Sequence, residues 1–283
     1  MVAAGIFFSG CHPSTATETR ETPVIASLYD TLGIAQPGEW RYEHTESDQT
    51  RDAFIAQHPQ TLSGKIIYLQ PIGAFDSLQQ EMFELTGEWL HSVFQLTVKM
   101  LPAIAENSID TNAWRVDQLR TGYIMDTLLQ PELPDDAAGL MAITNFDIYP
   151  GDDWNFVFGE AGTHSKVGVS SFSRFGDPHA GSKEMLLFER RLLGTVLHEF
   201  LHMMGLEHCS YFSCVLNGSN SLEEADTKPI LICPQCLEKM NYALQSDNSV
   251  YYRNAELFFN TYGFENESDF CEKAMRILLQ PIS

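Results

Sequence analysis

Residues 198–208 read HEFLHMMGLEH, and this stretch decides the fold as well as the chemistry. Apolar residues before it recur at helical spacing, so the stretch is predicted to begin on a helix. Residues four apart lie on one face of a helix, and His198 and His202 can therefore present two imidazole nitrogens to one metal ion. Glu199 lies about 100° further round the helix, where its carboxylate can reach a water molecule at that ion. The pattern predicts a zinc ion beside a glutamate that acts as general base.

A third ligand is expected from the residues that follow this helix. Gly205 can adopt the left-handed conformation that ends many helices, after which the chain turns back. His208 can then return to the metal, which completes the HExxHxxGxxH pattern of the metzincins. In another class of HExxH enzymes the third ligand is a glutamate on a later helix. Glu223, Glu224 and the adjacent Glu207 therefore remain alternatives on sequence alone.

A second cluster consists of cysteines. Four of the six cysteines lie within residues 209–236 as two close pairs, Cys209 with Cys214 and Cys233 with Cys236. Four thiolates at this spacing favour a tetrahedral structural zinc ion. Because the first pair begins directly after the third histidine, such an ion would also hold the loop that presents it. Two disulfides or four buried free thiols are the alternatives.

The composition excludes a disordered chain, a collagen and a coiled coil. The 283 residues are 44% hydrophobic and 19% charged, which is typical of one large globular domain or two small ones. The formal net charge of −21 disfavours binding to nucleic acid, whose phosphates it repels. A basic protein substrate is compatible with this charge, although a simple contribution to solubility is the better explanation.

The N-terminus suggests two locations for the protein. Residues 1–11 read MVAAGIFFSGC, which resembles the end of a lipoprotein leader with Cys11 as a lipid anchor, although no basic residue precedes the apolar run. The alternative is an untethered terminus of a cytoplasmic protein, which the cluster of free thiols favours. No apolar run is long enough to span a bilayer.

The remaining pattern predicts an α/β (or α+β) architecture with a mixed twisted sheet. Strands are predicted at residues 65–69, 98–104, 139–148, 154–158 and 167–175, and helices at 25–32, 77–96, 116–129 and 184–204. The stretch 167–175 is expected to be an edge strand that could pair with an extended peptide. The histidines outside the motif are expected at the surface: His12, His44, His58, His91, His164 and His179.

Together the two clusters resemble the archaemetzincins, in which HExxHxxG is followed by Cys-x4-Cys and, after a spacer, by CxxC. Flanking segments at 147–150, 154–159 and 217–239 are also similar, so the resemblance extends over about residues 139–240. One departure is Leu216, which stands where the family has the methionine of its Met-turn. Leucine and methionine are close in volume, so the packing cost is expected to stay below about 1.5 kcal/mol.

The resemblance implies a zinc metalloprotease, more specifically an aminopeptidase. It implies two zinc ions per chain, one catalytic at the three histidines with Glu199 as the acid and base, and one structural at the four cysteines. It also implies a metzincin fold with a cleft between two parts. We therefore expect a leader or arm at 1–22, a sheet-and-helix subdomain at 23–206 and a smaller subdomain with a zinc knuckle at 207–283.

A function of a different class is a zinc-stabilised module that binds peptides or proteins and has weak or lost peptidase activity. Glu199 argues against it, because a scaffold that only binds metal has no need of a glutamate at that position.

Overall fold

The computed structural model describes residues 22–58, 62, 64–163 and 165–280, and within them two sheets lie among helices. The strands are β1 (Ile66–Ile72), β2 (Thr97–Met100), β3 (Trp114–Arg115), β4 (Gln118–Arg120), β5 (Ala137–Thr144), β6 (Asp147–Tyr149), β7 (Gly159–Ala161) and β8 (Val167–Ser171). The helices are α1 (Thr22–Ala26), α2 (Trp40–Glu43), α3 (Arg51–Gln57), α4 (Ser77–Phe94), α5 (Thr121–Tyr123), α6 (Ser182–Met203), α7 (Leu222–Asp226), α8 (Pro234–Leu244), α9 (Asn248–Tyr262) and α10 (Glu265–Leu278).

The larger sheet has five strands in the order β2-β1-β5-β8-β7. The first four strands run parallel, and β7 pairs antiparallel with β8 at the edge. All eight residues of β5 are buried, because β5 has a strand on each side and a layer of packed side chains on each face. A smaller sheet has the order β3-β4-β6. The mixed α/β class that the sequence predicts is confirmed.

From Leu140 onward the period of two along β5 divides its side chains between two hydrophobic cores, and a register shift between Ala137 and Gly139 puts Ala138 on the same side as Met141. Ala138, Met141 and Ile143 belong to the core that contains the buried residues of α4 and α6. Leu140 and Ala142 face the second core, which lies beside the smaller sheet and the helical segment after β4. This arrangement fixes α6, and therefore the HExxH residues, against one face of the larger sheet.

The first core continues into the C-terminal helices. On α4, the buried Trp89 lies 4.9 Å from Phe258 and 4.8 Å from Phe259 of α9, measured between ring centroids. The same cluster also contains the four cysteines of the second motif. Residues on both sides of the predicted subdomain boundary at 206 thus share one core, and the boundary itself stays a prediction.

The two long helices agree with their predicted ranges, and α4 has a complete N-cap. Asp76 rather than Ser77 is the capping residue, since its carboxylate accepts a hydrogen bond from the backbone N–H of Gln79 at 2.8 Å. The Gln79 side chain accepts from the Asp76 N–H in return.

The prediction of a single helix at residues 116–129 is wrong. Val116 has a φ of +58° at the turn between β3 and β4, so the chain forms a short hairpin there before any helix begins. The helix starts at Thr121 and widens into a π-helix at Ile124–Leu129. Local apolar spacing did not distinguish the hairpin from a helical turn.

The predictions between residues 139 and 175 also need correction. The predicted strand 139–148 is divided, because the chain bends after Thr144 and β6 joins the smaller sheet. Residues 154–158 are a loop with one bridge from Val157 to Ile148. The partner of β8 is the glycine-containing β7, which takes the edge position, so β8 is internal and fully buried.

Two shorter discrepancies lie elsewhere. The predicted helix 25–32 is replaced by the shorter α1, and the strand predicted at 98–104 ends at Met100, two residues before Pro102. Among the described helices, none is both long and apolar enough to cross a membrane.

Candidate active site

The C-terminal end of α6 places the first two histidines and then reverses the chain. The N–H of Leu206 donates to the carbonyl of Leu201 and that of Gly205 to the carbonyl of His202, which is the hydrogen-bond pattern of a Schellman motif. Gly205 has a φ of +91°, and an added Cβ would lie 2.3 Å from the ring of His58. A glycine is required at this position by both its backbone conformation and its packing.

The reversal brings three imidazole rings together. The metal-binding atoms of His198, His202 and His208 all lie within 4.8 Å of one another. The Nε2 atoms of His198 and His202 are 3.0 Å apart. A tetrahedral zinc ion with Zn–N distances of about 2.0–2.1 Å would separate its ligands by roughly 3.3–3.4 Å, so this pair is already spaced for a shared ion.

Each of the three rings forms a hydrogen bond through Nδ1. The acceptors are the carbonyl of Val215 for His198 at 2.8 Å, and the carbonyl of Leu206 for His202 at 2.6 Å. For His208 the Nδ1 partner is a carboxylate oxygen of Glu46, at 3.0 Å. A proton on Nδ1 leaves the Nε2 lone pair free, so the donor chemistry is that of three neutral imidazoles facing one point.

Burial also favours neutral rings. It lowers the pKa of His198 well below its ordinary value, with further lowering from the charges of His202 and His208. Burial and the charge of His208 lower the pKa of His202 to about 4. Neutral imidazole is the form that binds zinc, and the residues present therefore suit this metal.

Glu199 is buried and packed tightly against the edge strand. An added Cβ on Gly159 would lie 2.5 Å from Glu199 Oε1 and 2.7 Å from its Cδ, so the missing side chain makes room for the carboxyl group. Burial raises the pKa of Glu199 well above its ordinary value, and the charge of Glu160 adds to the effect. The carboxyl group is thus packed against β7 and largely shielded from solvent.

These residues line one side of a cleft of about 670 Å³. Trp40 lines the cleft next to His208, and Trp154 lines it close to Trp40. Residues between 217 and 230 also line it. The cations that line it are already paired: Arg190 with Glu267, Arg191 with Asp226 and Lys228 with Glu224. Its acidic lining residues include Asp153 and Glu160, for which the described part of the chain contains no ion pair.

The four cysteines also come together in the structure. All four are buried, and their sulfur atoms lie within 4.8 Å of one another. The Sγ atoms of Cys209 and Cys233 are 3.6 Å apart, near the roughly 3.7–3.8 Å expected between ligands of a tetrahedral zinc ion with Zn–S distances of about 2.3 Å. All four are free thiols, which disfavours the alternative of two disulfides.

Protonation of this cluster is uneven. Hydrogen bonds from the other three thiols lower the pKa of Cys209, whereas burial and the neighbouring sulfurs raise the pKa of Cys214. A divalent cation would bind all four as thiolates, which is the charge state that zinc requires of cysteine ligands.

A turn connects the cysteine cluster to the histidines. Val215, between the first and second cysteine pairs, accepts from His198 with its carbonyl and donates its N–H to Leu231 O. Asn217 holds the turn, because its buried side chain accepts from Cys214 N and donates to the carbonyls of Cys209 and Phe212. Movement of the cysteines would therefore move an acceptor of the first histidine.

The alternative third ligands are engaged elsewhere. Glu224 accepts hydrogen bonds from the backbone of Trp40 and Asn220, Glu223 is exposed, and Glu207 accepts from Ser47. Leu216, at the position of the family's methionine, is fully buried.

Of the histidines expected at the surface, His91 and His179 are exposed. His44, beside Trp40 and Trp154, and His58, against Gly205, are half-buried, and neither belongs to a metal-binding group among the described residues. His12, His164 and the proposed lipid-anchor residue Cys11 lie outside the described residues.

Glu46 is a residue of the site that the sequence does not predict. It lies in a polar arm without periodicity, 162 residues from His208 in the chain, so no local pattern could connect the two. Burial alone raises the pKa of Glu46, but the hydrogen bond and charge of His208, together with the hydrogen bond from Trp40, outweigh it and lower that pKa.

Comparison with known proteins agrees with the geometry. The sequence profile of peptidase family M54 matches residues 97–242, more than half of the chain. Archaemetzincin-2 of Rattus norvegicus is 30% identical over 257 residues, which cover 77% of this chain and 71% of the rat protein. The chain belongs to peptidase family M54, the archaemetzincins.

Solved archaemetzincin structures share the fold. The protein from Archaeoglobus fulgidus, crystallised with malonate, is 29% identical with a TM-score of 0.51, and the match covers 62% of this chain and 99% of the archaeal one. The protein from Methanopyrus kandleri is 25% identical with a TM-score of 0.54 over 65% and 97% of the two chains. This archaemetzincin is therefore a zinc metalloprotease by family and by fold, and it carries substantial additional chain beyond the archaeal fold.

Replacing Gly159 with alanine should displace the Glu199 carboxyl group. A shift of about 1 Å in a catalytic group can cost about 10²-fold in rate, so we expect kcat to fall by that order while bound zinc stays at the wild-type level. The matched control is Gly151→Ala, since an added Cβ there meets nothing within 4 Å. Wild-type kcat in a folded Gly159→Ala protein would contradict the assigned packing.

Proposed function

We propose that this archaemetzincin is an aminopeptidase whose catalytic zinc is held by His198, His202 and His208. The observation that carries the proposal is that the metal-binding nitrogens of three histidines lie within 4.8 Å of one another, beside one buried carboxyl group, in a single cleft. Bound zinc supplies Lewis acidity, which activates water and polarises the peptide carbonyl.

Glu199 is the general base and acid in this proposal. Its carboxylate takes a proton from the attacking water and returns it to the nitrogen of the departing amine. Packing against Gly159 limits the positions that the carboxylate can adopt, so it needs no reorientation between the two transfers. Neighbouring β7 lines the cleft and, among the described strands, pairs on one side only, which leaves its other edge available to pair with an extended peptide.

The charges of the cleft support a preference for free N-termini. The basic lining residues are neutralised by their partners, whereas Asp153 and Glu160 form no ion pair within the described ranges, although Glu160 accepts a hydrogen bond from Thr121. The net charge of −21 adds a long-range negative potential. An α-ammonium group is therefore attracted to the cleft, and a C-terminal carboxylate is repelled.

A second zinc at Cys209, Cys214, Cys233 and Cys236 completes the proposal. Its function is structural, because four thiolates leave no open coordination position for a substrate. Through Val215 and Asn217 it would keep the turn beside His198 in place.

Glu199→Gln should keep the metal and lose turnover. General acid–base catalysis contributes about 10²–10⁴-fold, and we expect kcat to fall by at least 10²-fold with unchanged zinc content. Glu184→Gln, an exposed substitution in the first turn of the same helix, is the control and should retain full activity. Normal hydrolysis by the Glu199→Gln protein would refute the general-base assignment.

Free and blocked peptides should separate exopeptidase from endopeptidase activity. With matched fluorogenic peptides that have a free or an acetylated N-terminus, we expect kcat/KM to be at least about tenfold higher for the free form, equivalent to about 1.4 kcal/mol. Cleavage must disappear with a chelator and in Glu199→Gln. Equal rates for both forms would identify an endopeptidase, and no chelator-sensitive cleavage of either would favour a binding module.

Elemental analysis should find two zinc ions per chain. His208→Ala is expected to lose one equivalent and remain folded, whereas the double variant Cys233→Ser and Cys236→Ser should lose the other and unfold at a lower temperature. A wild-type content of one zinc that survives the cysteine substitutions would eliminate the structural site.

A further inference from the structure

The loop that carries the third histidine is held by an N-terminal segment, Glu46–Gln49, which we call the docking segment. Its four consecutive residues each form a hydrogen bond to the loop 205–210. The contacts are Glu46 Oε1 with His208 Nδ1, Ser47 Oγ with Glu207 Oε2, Asp48 Oδ1 with Ser210 Oγ, and Gln49 with Gly205 O and Glu207 N. The docking segment lies outside residues 97–242, which match the family profile.

Glu46 differs from its neighbours because it contacts a ring rather than the loop backbone or a surface side chain. Its Oε1 atom lies 3.0 Å from Nδ1 of His208 and also accepts a hydrogen bond from the indole of Trp40. The Glu46 and His208 side chains are 17% and 20% exposed, so little water competes for this contact. The indole itself is packed on Gly218, where an added Cβ would lie 2.3 Å from its Cδ1 atom.

His208 has a particular need for such a partner. His198 and His202 are on α6, and their Nδ1 atoms bond to backbone carbonyls. His208 follows the end of that helix, and its ring contact is a side-chain carboxylate. An acceptor at Nδ1 selects the tautomer with a free Nε2 lone pair, and a carboxylate in this position also makes the imidazole a stronger base toward a metal.

We propose that Glu46 is a positioning residue for the third metal ligand, which holds His208 in the orientation and tautomer that bind zinc. This inference rests on the proposed metal site at the three histidines. It extends the catalytic centre to a part of the chain that the family profile does not reach, with Trp40 keeping the carboxylate in place.

The test measures zinc affinity rather than activity. Full-length holoprotein is titrated with a chromophoric zinc chelator, and the apparent Kd of the more weakly held zinc is compared among wild type, Glu46→Ala, Glu46→Gln and Asp48→Ala. Asp48→Ala is the matched control, because it removes a contact of the docking segment without touching a ring. Cobalt(II) substitution gives a second readout, since thiolate charge-transfer bands distinguish the cysteine site from the histidine site.

We expect Glu46→Ala to raise the Kd of the histidine site by about 10–100-fold and to alter the cobalt bands of that site alone. Glu46→Gln keeps a neutral acceptor and should raise the Kd by a smaller factor, about three- to tenfold. Asp48→Ala should stay within about twofold of wild type even if its melting temperature falls. If Glu46→Ala fails to fold, the increase in Glu46→Gln decides the question.

A Kd within twofold of wild type in folded Glu46→Ala, or in Glu46→Gln when Glu46→Ala does not fold, overturns the proposal. Equal losses in Glu46→Ala and Asp48→Ala also overturn it, because docking of the loop alone would then explain the effect. His202→Ala separates failure of the proposed metal site from failure of the proposed role of Glu46. If that variant holds as much zinc as wild type, the metal site itself is wrong, and the proposed function fails together with this inference.

Discussion

The hydrogen bond at Nδ1 of each histidine is the constraint on which the rest of the site depends. Three rings can share one metal ion only if all three Nε2 lone pairs are free and face the same point. The acceptors come from three separate parts of the chain: the turn at Val215, the helix end at Leu206 and the arm at Glu46. The architecture around the site can be understood as the means of bringing those acceptors together.

The cysteine cluster and the histidine cluster are mechanically one unit. His208 and Cys209 are neighbours in sequence, and Val215 follows Cys214 directly while it accepts from His198. Asn217 bridges both sides of the turn with three hydrogen bonds. The cluster is also part of the main hydrophobic core, so its position is tied to α6 and the larger sheet as well. A change in the cysteine cluster is therefore expected to reach the histidines.

The sequence predicted the features that depend on local residue spacing and missed the contacts between residues far apart in the chain. The HExxH spacing, the left-handed Gly205 and the long helices follow from helical periodicity, and the structure places these residues as expected. The pattern failed at residues 116–129 and 154–158, where pairing with remote strands and a positive φ at Val116 override local apolar spacing. It gave no indication of Glu46, because a glutamate in a polar arm has no sequence feature that marks a partner 162 residues away.

The distance along the chain between these partners has a consequence for biosynthesis. The ring of His208, which contacts the carboxylate of Glu46, is made when almost three quarters of the polypeptide is complete, and the cysteines that follow it extend to residue 236. The last long helices then pack on α4 through Trp89. Contacts of high sequence separation form late in folding, and domains fold as units when they emerge from the ribosome. The complete set of these residues is therefore present only once residue 236 has been added, so the two clusters and the arm that contacts them come together late in synthesis.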